Sequence, residues 1–217
     1  MIILDIETSG IDTGRCGIWQ IGAIDLQTKK EFLEESRIDD DDLVEESALK
    51  VIGKTEKELR DRKKQTQKQL IMNYLTWIKS VKEKLFVGQN VGWDLNFIQN
   101  KCLKYGIMDK FREVMGQRGI DLHTLTQIKY HEINGKYLLK DKGSSDMNLT
   151  NVLKFCGISD ERIKMEDGSK MGIVEKQGKP HNALDDCKLE GECFSRLTNG
   201  KNIFPEFSKF KIPEALK

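Results

Sequence analysis

The segment Ile2 to Glu7 places two carboxylates, Asp5 and Glu7, in a short run that is otherwise apolar and β-branched. Such a run reads as a strand, and the two-residue period of a strand sends Asp5 and Glu7 to one face while Leu4 and Ile6 take the other. A strand of this composition belongs in the middle of a sheet, where unpaired carboxylates are costly unless a cation compensates them. The chain must therefore build a place around its first strand where negative charge is answered.

The segments that follow say what kind of sheet this is. Gly17 to Leu26 reads as a second strand and Lys30 to Arg37 as a third, giving an antiparallel meander. The period then changes. From about Thr66 to Lys84 the residues Leu70, Ile71, Tyr74, Leu75, Ile78, Val81 and Leu85 recur at three- and four-residue steps. That spacing predicts an amphipathic helix feeding a short strand, Leu85 to Gly88. Another helix follows with Leu95, Ile98 and Cys102 on one side, Ile120 and Leu122 mark a fifth strand, and helices are expected over about 123–131, 148–156 and 182–198. Strands first and then strands alternating with helices imply an α/β fold, a five-stranded mixed sheet flanked by helices. Asn134 to Asp146 and Ser159 to Pro180 are polar and contain glycine, so both are expected as long loops, the second mobile and beside the site. The tail after Gly200 carries Phe204, Phe207 and Phe210 with Pro205 and Pro213, and is expected to pack on the body or to dock a partner.

A chain of 217 residues buries roughly 70% of its extended surface on folding, so it needs no disulfide or metal as a staple. Cys16, Cys102, Cys156, Cys187 and Cys193 contain no C-x-x-C and fit reduced thiols in the cytoplasm. No run approaches eighteen apolar residues and no basic region opens the chain, so neither a membrane span nor a secretory signal is expected. The net charge of +1 gives no footprint for nucleic acid, but the charges are segregated. Residues 31–46 hold nine acids against the single Arg37, and residues 54–84 hold ten bases against four acids. These runs read as two solvated faces or, more sharply, as an electropositive stripe that attracts phosphates beside an acidic run that repels them. Trp19 and Trp77 read as packing residues.

Three further residues join the two carboxylates. Asp94, in GQNVGWDLNFI, follows a strand and opens a helix, where an acid also favours the helix dipole. His181 and Asp186 lie in PHNALDDCKLE. Counting about 100° per residue from Leu184, Asp185 falls with Lys188, Glu192 and Arg196 on the polar side, whereas Asp186 falls on the apolar arc. An acid on that arc needs a partner, and a metal shared with Asp5, Glu7 and Asp94 would supply one. Glu190 lies on the same arc, either supporting the residues that hold the metal or in a salt bridge.

Asp5-Ile6-Glu7-Thr8-Ser9-Gly10, then Asn90-Val91-Gly92-Trp93-Asp94, then His181, Ala183 and Asp186 resemble, in order, the three motifs of the DEDDh-type 3′→5′ exonucleases. The likeness extends to the proofreading exonuclease subunit of bacterial DNA polymerase III and to RNase T-like exonucleases. It covers about residues 1–198 as the exonuclease domain, with 199–217 as the tail. Gln89 replaces a histidine often seen there, and Trp93 replaces a phenylalanine. The W-x-D-x-E-M-T-G-L opening of oligoribonucleases is absent.

The resemblance implies an RNase H-like fold and a metal-dependent 3′→5′ exonuclease that releases nucleoside 5′-monophosphates from single-stranded ends, with DNA favoured slightly over RNA. It implies Asp5, Glu7, Asp94 and Asp186 as ligands of two Mg²⁺ or Mn²⁺ ions, a choice consistent with oxygen donors and no cysteine. By the same resemblance His181 acts as general base on the attacking water, and Thr8, Ser9, Gly10, Asn90 and Trp93 face the substrate. The implied partner is a single-stranded DNA or RNA 3′ end, with a polymerase or another replication or repair protein docked through the tail. The alternatives are an exoribonuclease trimming RNA 3′ ends and a catalytically silent nucleic-acid-binding module on the same fold.

Overall fold

The computed structural model describes every residue except 117, 163–164, 167–172 and 175–177. The chain opens with the meander: β1 (Ile2–Thr8), β2 (Ile18–Asp25) and β3 (Glu31–Glu35). Three helices follow, α1 (Glu46–Ile52), α2 (Glu56–Leu59) and α3 (Gln67–Ser80), and lead to β4 (Phe86–Gly88). Then come α4 (Val91–Lys104), α5 (Met108–Val114), β5 (Gly119–Asp121), α6 (Leu122–Asn134) and α7 (Leu149–Phe155). A small hairpin, β6 (Met165–Glu166) and β7 (Ile173–Val174), precedes α8 (Ala183–Asn199), and two 3₁₀ turns finish the tail.

The five main strands lie in the order β3-β2-β1-β4-β5. β1 pairs antiparallel with β2 and parallel with β4, so it is the seam between the antiparallel and parallel halves of a mixed sheet. The alternation read from the sequence holds. Ile2, Leu4 and Ile6 face one core with Leu70, Tyr74, Leu95 and Ile98 of α3 and α4. Ile3 faces a second core with Val152, Leu153, Cys187 and Cys193 of α7 and α8. Asp5 and Glu7 share the Ile3 face, the face that α8 crosses.

Several boundaries and faces differ from the sequence reading, each for a structural reason. α3 stops at Ser80, because Val81 turns to an extended backbone and bonds back to Ile78. Leu85, expected inside the strand, is exposed, and β4 begins one residue later, where Phe86 pairs with Ile2. Leu122 opens α6 instead of ending a strand, because the Asp121 carboxylate caps that helix by accepting from the His123 N–H. α1, α2 and α5, of four to seven residues each, stand beyond the helices expected from the sequence. The loop expected at 159–180 contains the β6–β7 hairpin, and its expected mobility falls mainly outside the described residues.

The polar side assigned to α8 is the largest correction. Asp185 is exposed as expected, but Glu192 and Arg196 are fully buried. The tail crosses that side, burying Phe204, Phe207 and Leu216. Arg196 donates to Glu192, to the Cys156 carbonyl and to the carbonyls of Phe207 and Phe210. Glu192 also accepts the backbone N–H groups of Ile203 and Phe204. The buried ion pair thus satisfies backbone groups of the tail that packing would otherwise strand.

The segregated charge runs do not form two free faces either. Arg62 pairs with Asp40, Lys64 with Glu35, and Arg60 donates to the carbonyls of Asp39 and Asp42. Asp42 is fully inside and pairs with the buried Lys101 of α4 at 2.6 Å. Trp19 is buried, and Trp77 packs beside Phe32 and Tyr74.

Candidate active site

The site forms at the carboxyl ends of β1 and β4, a position that open α/β sheets use for ligands. β1 pairs with β4 only through Ile2 and Ile3, so the Ile6 N–H beyond them has no strand partner on that side. Asp94, in the first turn of α4, supplies one: its Oδ1 accepts the Ile6 N–H at 3.2 Å. The second motif is thereby tied to the first. α8 brings the third, and its approach depends on Gly22, which sits opposite Asp5 on β2 and where a Cβ would run into the Ala183 backbone. The Ala183 N–H donates to the Gln20 side chain at 2.8 Å, fixing the first turn of the helix against the sheet.

Glu7, His181 and Asp186 each offer a ligand atom within 4.8 Å of the others. Glu7, Asp94 and Asp186 are buried and Asp5 is partly so. Burial and the charges of Glu190, Asp186, Glu7 and Asp94 push the Asp5 pKa well above the carboxylate range. Glu7 is pushed up to about 8, by burial and then by Asp186, with His181 and Arg162 pulling it down. Burial likewise raises Asp94, against hydrogen bonds from backbone N–H groups that lower it. Burial disfavours the charged form of His181, but the hydrogen bond and charge of Asp186 outweigh it and raise its pKa. His181 Nδ1 lies 3.3 Å from Asp186 Oδ2, and its backbone N–H bonds to the Val51 carbonyl of α1.

Glu190, for which the sequence leaves two roles open, and Arg162, which it does not single out, complete the cluster. Glu190, one helical turn after Asp186, is buried; its Oε1 accepts the Gln89 N–H at 3.1 Å, while its Oε2 has no hydrogen-bond partner among the described residues. Burial, followed by the charge of Asp94, raises its pKa well above normal. The buried arc of the helical wheel was the available signal. Arg162, in the polar stretch before β6, places Nη1 3.2 Å from Asp186 Oδ1. Nothing in that stretch has a period from which this could be read.

The five residues expected to face substrate are placed as follows. Thr8 is buried, with its hydroxyl donating to the Gly10 carbonyl at 2.7 Å. The Ser9 hydroxyl is spent inside the fold, donating to the Leu43 carbonyl and accepting the Gly17 N–H. Gly10 lies so close to Cys16 and Glu45 that a Cβ would collide with both. Asn90 is exposed in the left-handed region (φ 58°), which asparagine tolerates, and its N–H donates to Asp121. Trp93 is half-buried, edge-on to Phe97, and its Nε1 donates to the Ile11 carbonyl.

The family model for RNase T-type exonucleases matches residues 2–194. The chain belongs to this exonuclease family. The solved structures it resembles include E. coli exonuclease I in complex with a dT13 oligonucleotide, at 18% identity and a TM-score of 0.63, covering 90% of this chain and 40% of that one. Apo exonuclease I aligns at 18% identity and a TM-score of 0.65, covering 92% and 42%. Cell-death related nuclease 4 (CRN-4) aligns at 18% identity and a TM-score of 0.63, covering 93% and 64%. The shared feature at these identities is the RNase H-like fold, and the chain spans about two fifths of the exonuclease I chains it matches. No curated protein matches it significantly.

In this chain the donor set fits a hard divalent ion: carboxylate oxygens with one imidazole and, among the described residues, no thiol ligand. The buried Oε2 of Glu190, without a partner among the described residues, and the raised pKa values of Asp5, Glu7 and Asp94 mark a cluster short of positive charge. A bound cation would compensate such a cluster.

Proposed function

We propose that the chain is a metal-dependent 3′→5′ exonuclease of the DEDDh type, removing nucleoside 5′-monophosphates from single-stranded ends, with DNA favoured slightly over RNA. The observation that carries this reading is the convergence of Asp5, Glu7, Asp94, Asp186 and His181, from three separated segments, on the carboxyl ends of β1 and β4. The E. coli exonuclease I structures of similar fold hold dT13 and dA16 oligonucleotides, which favours a single DNA strand as the substrate.

Asp5, Glu7, Asp94 and Asp186 would hold two Mg²⁺ or Mn²⁺ ions. Such ions supply, when bound, a lowered pKa for the attacking water and compensation for charge on the leaving 3′-oxygen. The protein's own part is proton handling and orientation. His181 takes the proton of the attacking water at its imidazole, and Asp186 Oδ2, 3.3 Å from Nδ1, fixes the ring. Gly22 and the Gln20 side chain fix how near α8 brings both residues to the strand. Asn90, Trp93 and the Thr8–Gly10 turn border this centre on the substrate side. No helix among the described residues is long and apolar enough to cross a membrane, and all five cysteines are unpaired and buried, which supports a cytoplasmic setting. With Phe204 and Phe207 turned into the body, a polymerase or repair partner would meet the outward residues of the tail, such as Lys209 and Lys211.

The test is cleavage of matched 5′-labelled single-stranded DNA and RNA in Mg²⁺, Mn²⁺ and EDTA. The expected result is a ladder shortening from the 3′ end, faster on DNA, abolished by EDTA and by His181→Ala. Binding without cleavage would replace this reading with a silent binding module.

A further inference from the structure

Arg162 enters the acidic site from the segment between α7 and β6, and it is anchored before it gets there. Its backbone N–H and its Nε both donate to Asp160 Oδ1 at 3.0 Å, and Nη2 donates to Asp160 Oδ2 at 3.1 Å. Asp160 is held in turn by the Thr150 hydroxyl of α7 at 2.7 Å. One edge of the guanidinium is therefore clamped, and Nη1 reaches forward to Asp186 Oδ1 at 3.2 Å. Of five guanidinium N–H donors, three are used among the described residues, which leaves one on each terminal nitrogen. Arg162 and Asp186 line the inner end of a cleft of about 250 Å³ between the start of α8 and the tail, whose walls also include Asn182, Lys209 and Phe210, and 12% of the Arg162 side chain is exposed.

An arginine kept only to fasten this segment needs one carboxylate, and Asp160 already provides two oxygens. The reach to Asp186 calls for another explanation, and charge gives one. A phosphodiester brings a negative charge to a place already holding Asp5, Glu7, Asp94, Asp186 and Glu190. Among the described residues Arg162 is the one lysine or arginine bonded to any of these acids. Lys179 and Lys188, on the same cleft, are paired with Glu161 and Glu31. The guanidinium fork matches two phosphate oxygens, which an ammonium cannot.

Resting on the nuclease reading above, we propose that Arg162 is a substrate-binding residue that grips the phosphodiester joining the 3′-terminal nucleotide to the strand with its unused N–H donors while Asp160 holds its other edge. The reactive end is recognised by its phosphate rather than by its base, and the clamp is in place before substrate arrives.

The experiment compares wild type, Arg162→Gln and Arg162→Lys in Mg²⁺, measuring kcat and KM on a 5′-labelled oligo-dT. Calorimetric binding of dTMP and of thymidine runs alongside. For Arg162→Gln the expected results are a kcat/KM lower by about 10- to 100-fold, as for the loss of a charge-assisted hydrogen bond, and a dTMP Kd weakened by a similar factor. Thymidine binding stays the same, and Arg162→Lys recovers only part of the loss. Unchanged kcat/KM and dTMP binding in Arg162→Gln would overturn the proposal. Equal losses for dTMP and thymidine would also overturn it, because a residue that only fastens the segment acts on both. If Arg162→Gln does not fold, the ratio of dTMP to thymidine affinity is read from Arg162→Lys, where an unchanged ratio overturns the proposal. A wild type that cleaves no strand overturns the nuclease reading instead, and the two binding measurements still decide the role of Arg162.

Discussion

Glu7 keeps a proton that water would remove. Its ordinary value of 4.5 is pushed up to about 8 by burial and by Asp186. Between those values the folded chain holds a proton that the unfolded chain has lost, so stability falls as pH rises through that window. His181 acts in the same direction: its pKa is raised in the fold, so its contribution is present below the unfolded value and lost as pH rises through the folded one. In EDTA the melting temperature should therefore fall from about pH 5 to about pH 8.5, as followed by calorimetry. Glu7→Gln should flatten that slope and melt higher than wild type at the alkaline end; a wild-type Tm independent of pH would contradict this account. That Asp5 and Glu7 share a face was legible in the sequence, because a strand has a fixed period of two. How strongly they are perturbed was not, because that depends on Asp186 and Glu190, which arrive from a helix more than 170 residues later.

At the scale of an element, α8 shows both what a helical wheel can decide and where it stops. The wheel separated Asp186 from Asp185 correctly, because the sheet is on the apolar side and water is beside Asp185. It failed for Glu192 and Arg196, because periodicity reports polarity and the tail covers a polar face. Removing Arg196 leaves the Glu192 charge buried and the carbonyls of Cys156, Phe207 and Phe210 without that donor. Arg196→Ala should cost about 3–5 kcal/mol in urea unfolding, and Glu192→Gln combined with Arg196→Met should cost less than that single change. A loss near zero for Arg196→Ala would mean that the tail does not stay seated in solution. The same limit explains the short helices α1, α2 and α5, which are stabilised by what they pack against rather than by their own repeat.

Across the whole molecule, the parallel and antiparallel halves of the sheet meet at β1, and the acids gather where β1 outruns β4. Four carboxylates and Glu190 in one place repel until positive charge arrives, and Arg162 and His181 supply only part of it. Mg²⁺ or Mn²⁺ should therefore stabilise the fold by mass action, raising the melting temperature by about 5–10 °C at a hundredfold excess over Kd. Asp5→Asn and Asp186→Asn should each lose most of that shift, and equal shifts in all three proteins would count against this ligand set. The charge runs carry the same lesson at long range. Glu35 and Asp40 of the acidic run are paired with Lys64 and Arg62 of the basic run, and Asp39, Asp41 and Asp42 with Lys104 and Lys101 of α4, although all are separate in sequence.

The sequence by itself determined the strand meander, the alternation to helices, the order of the three acidic motifs and the inward turn of Asp186. All of these rest on local periods and spacings that the backbone imposes wherever the chain lies. Only the tertiary structure decided that Arg162 reaches Asp186, that one oxygen of the buried Glu190 has no partner among the described residues, and that Glu192 and Arg196 lie under the tail. Those facts depend on which distant segments come into contact, and contact between segments without a period leaves no trace in the order of the residues.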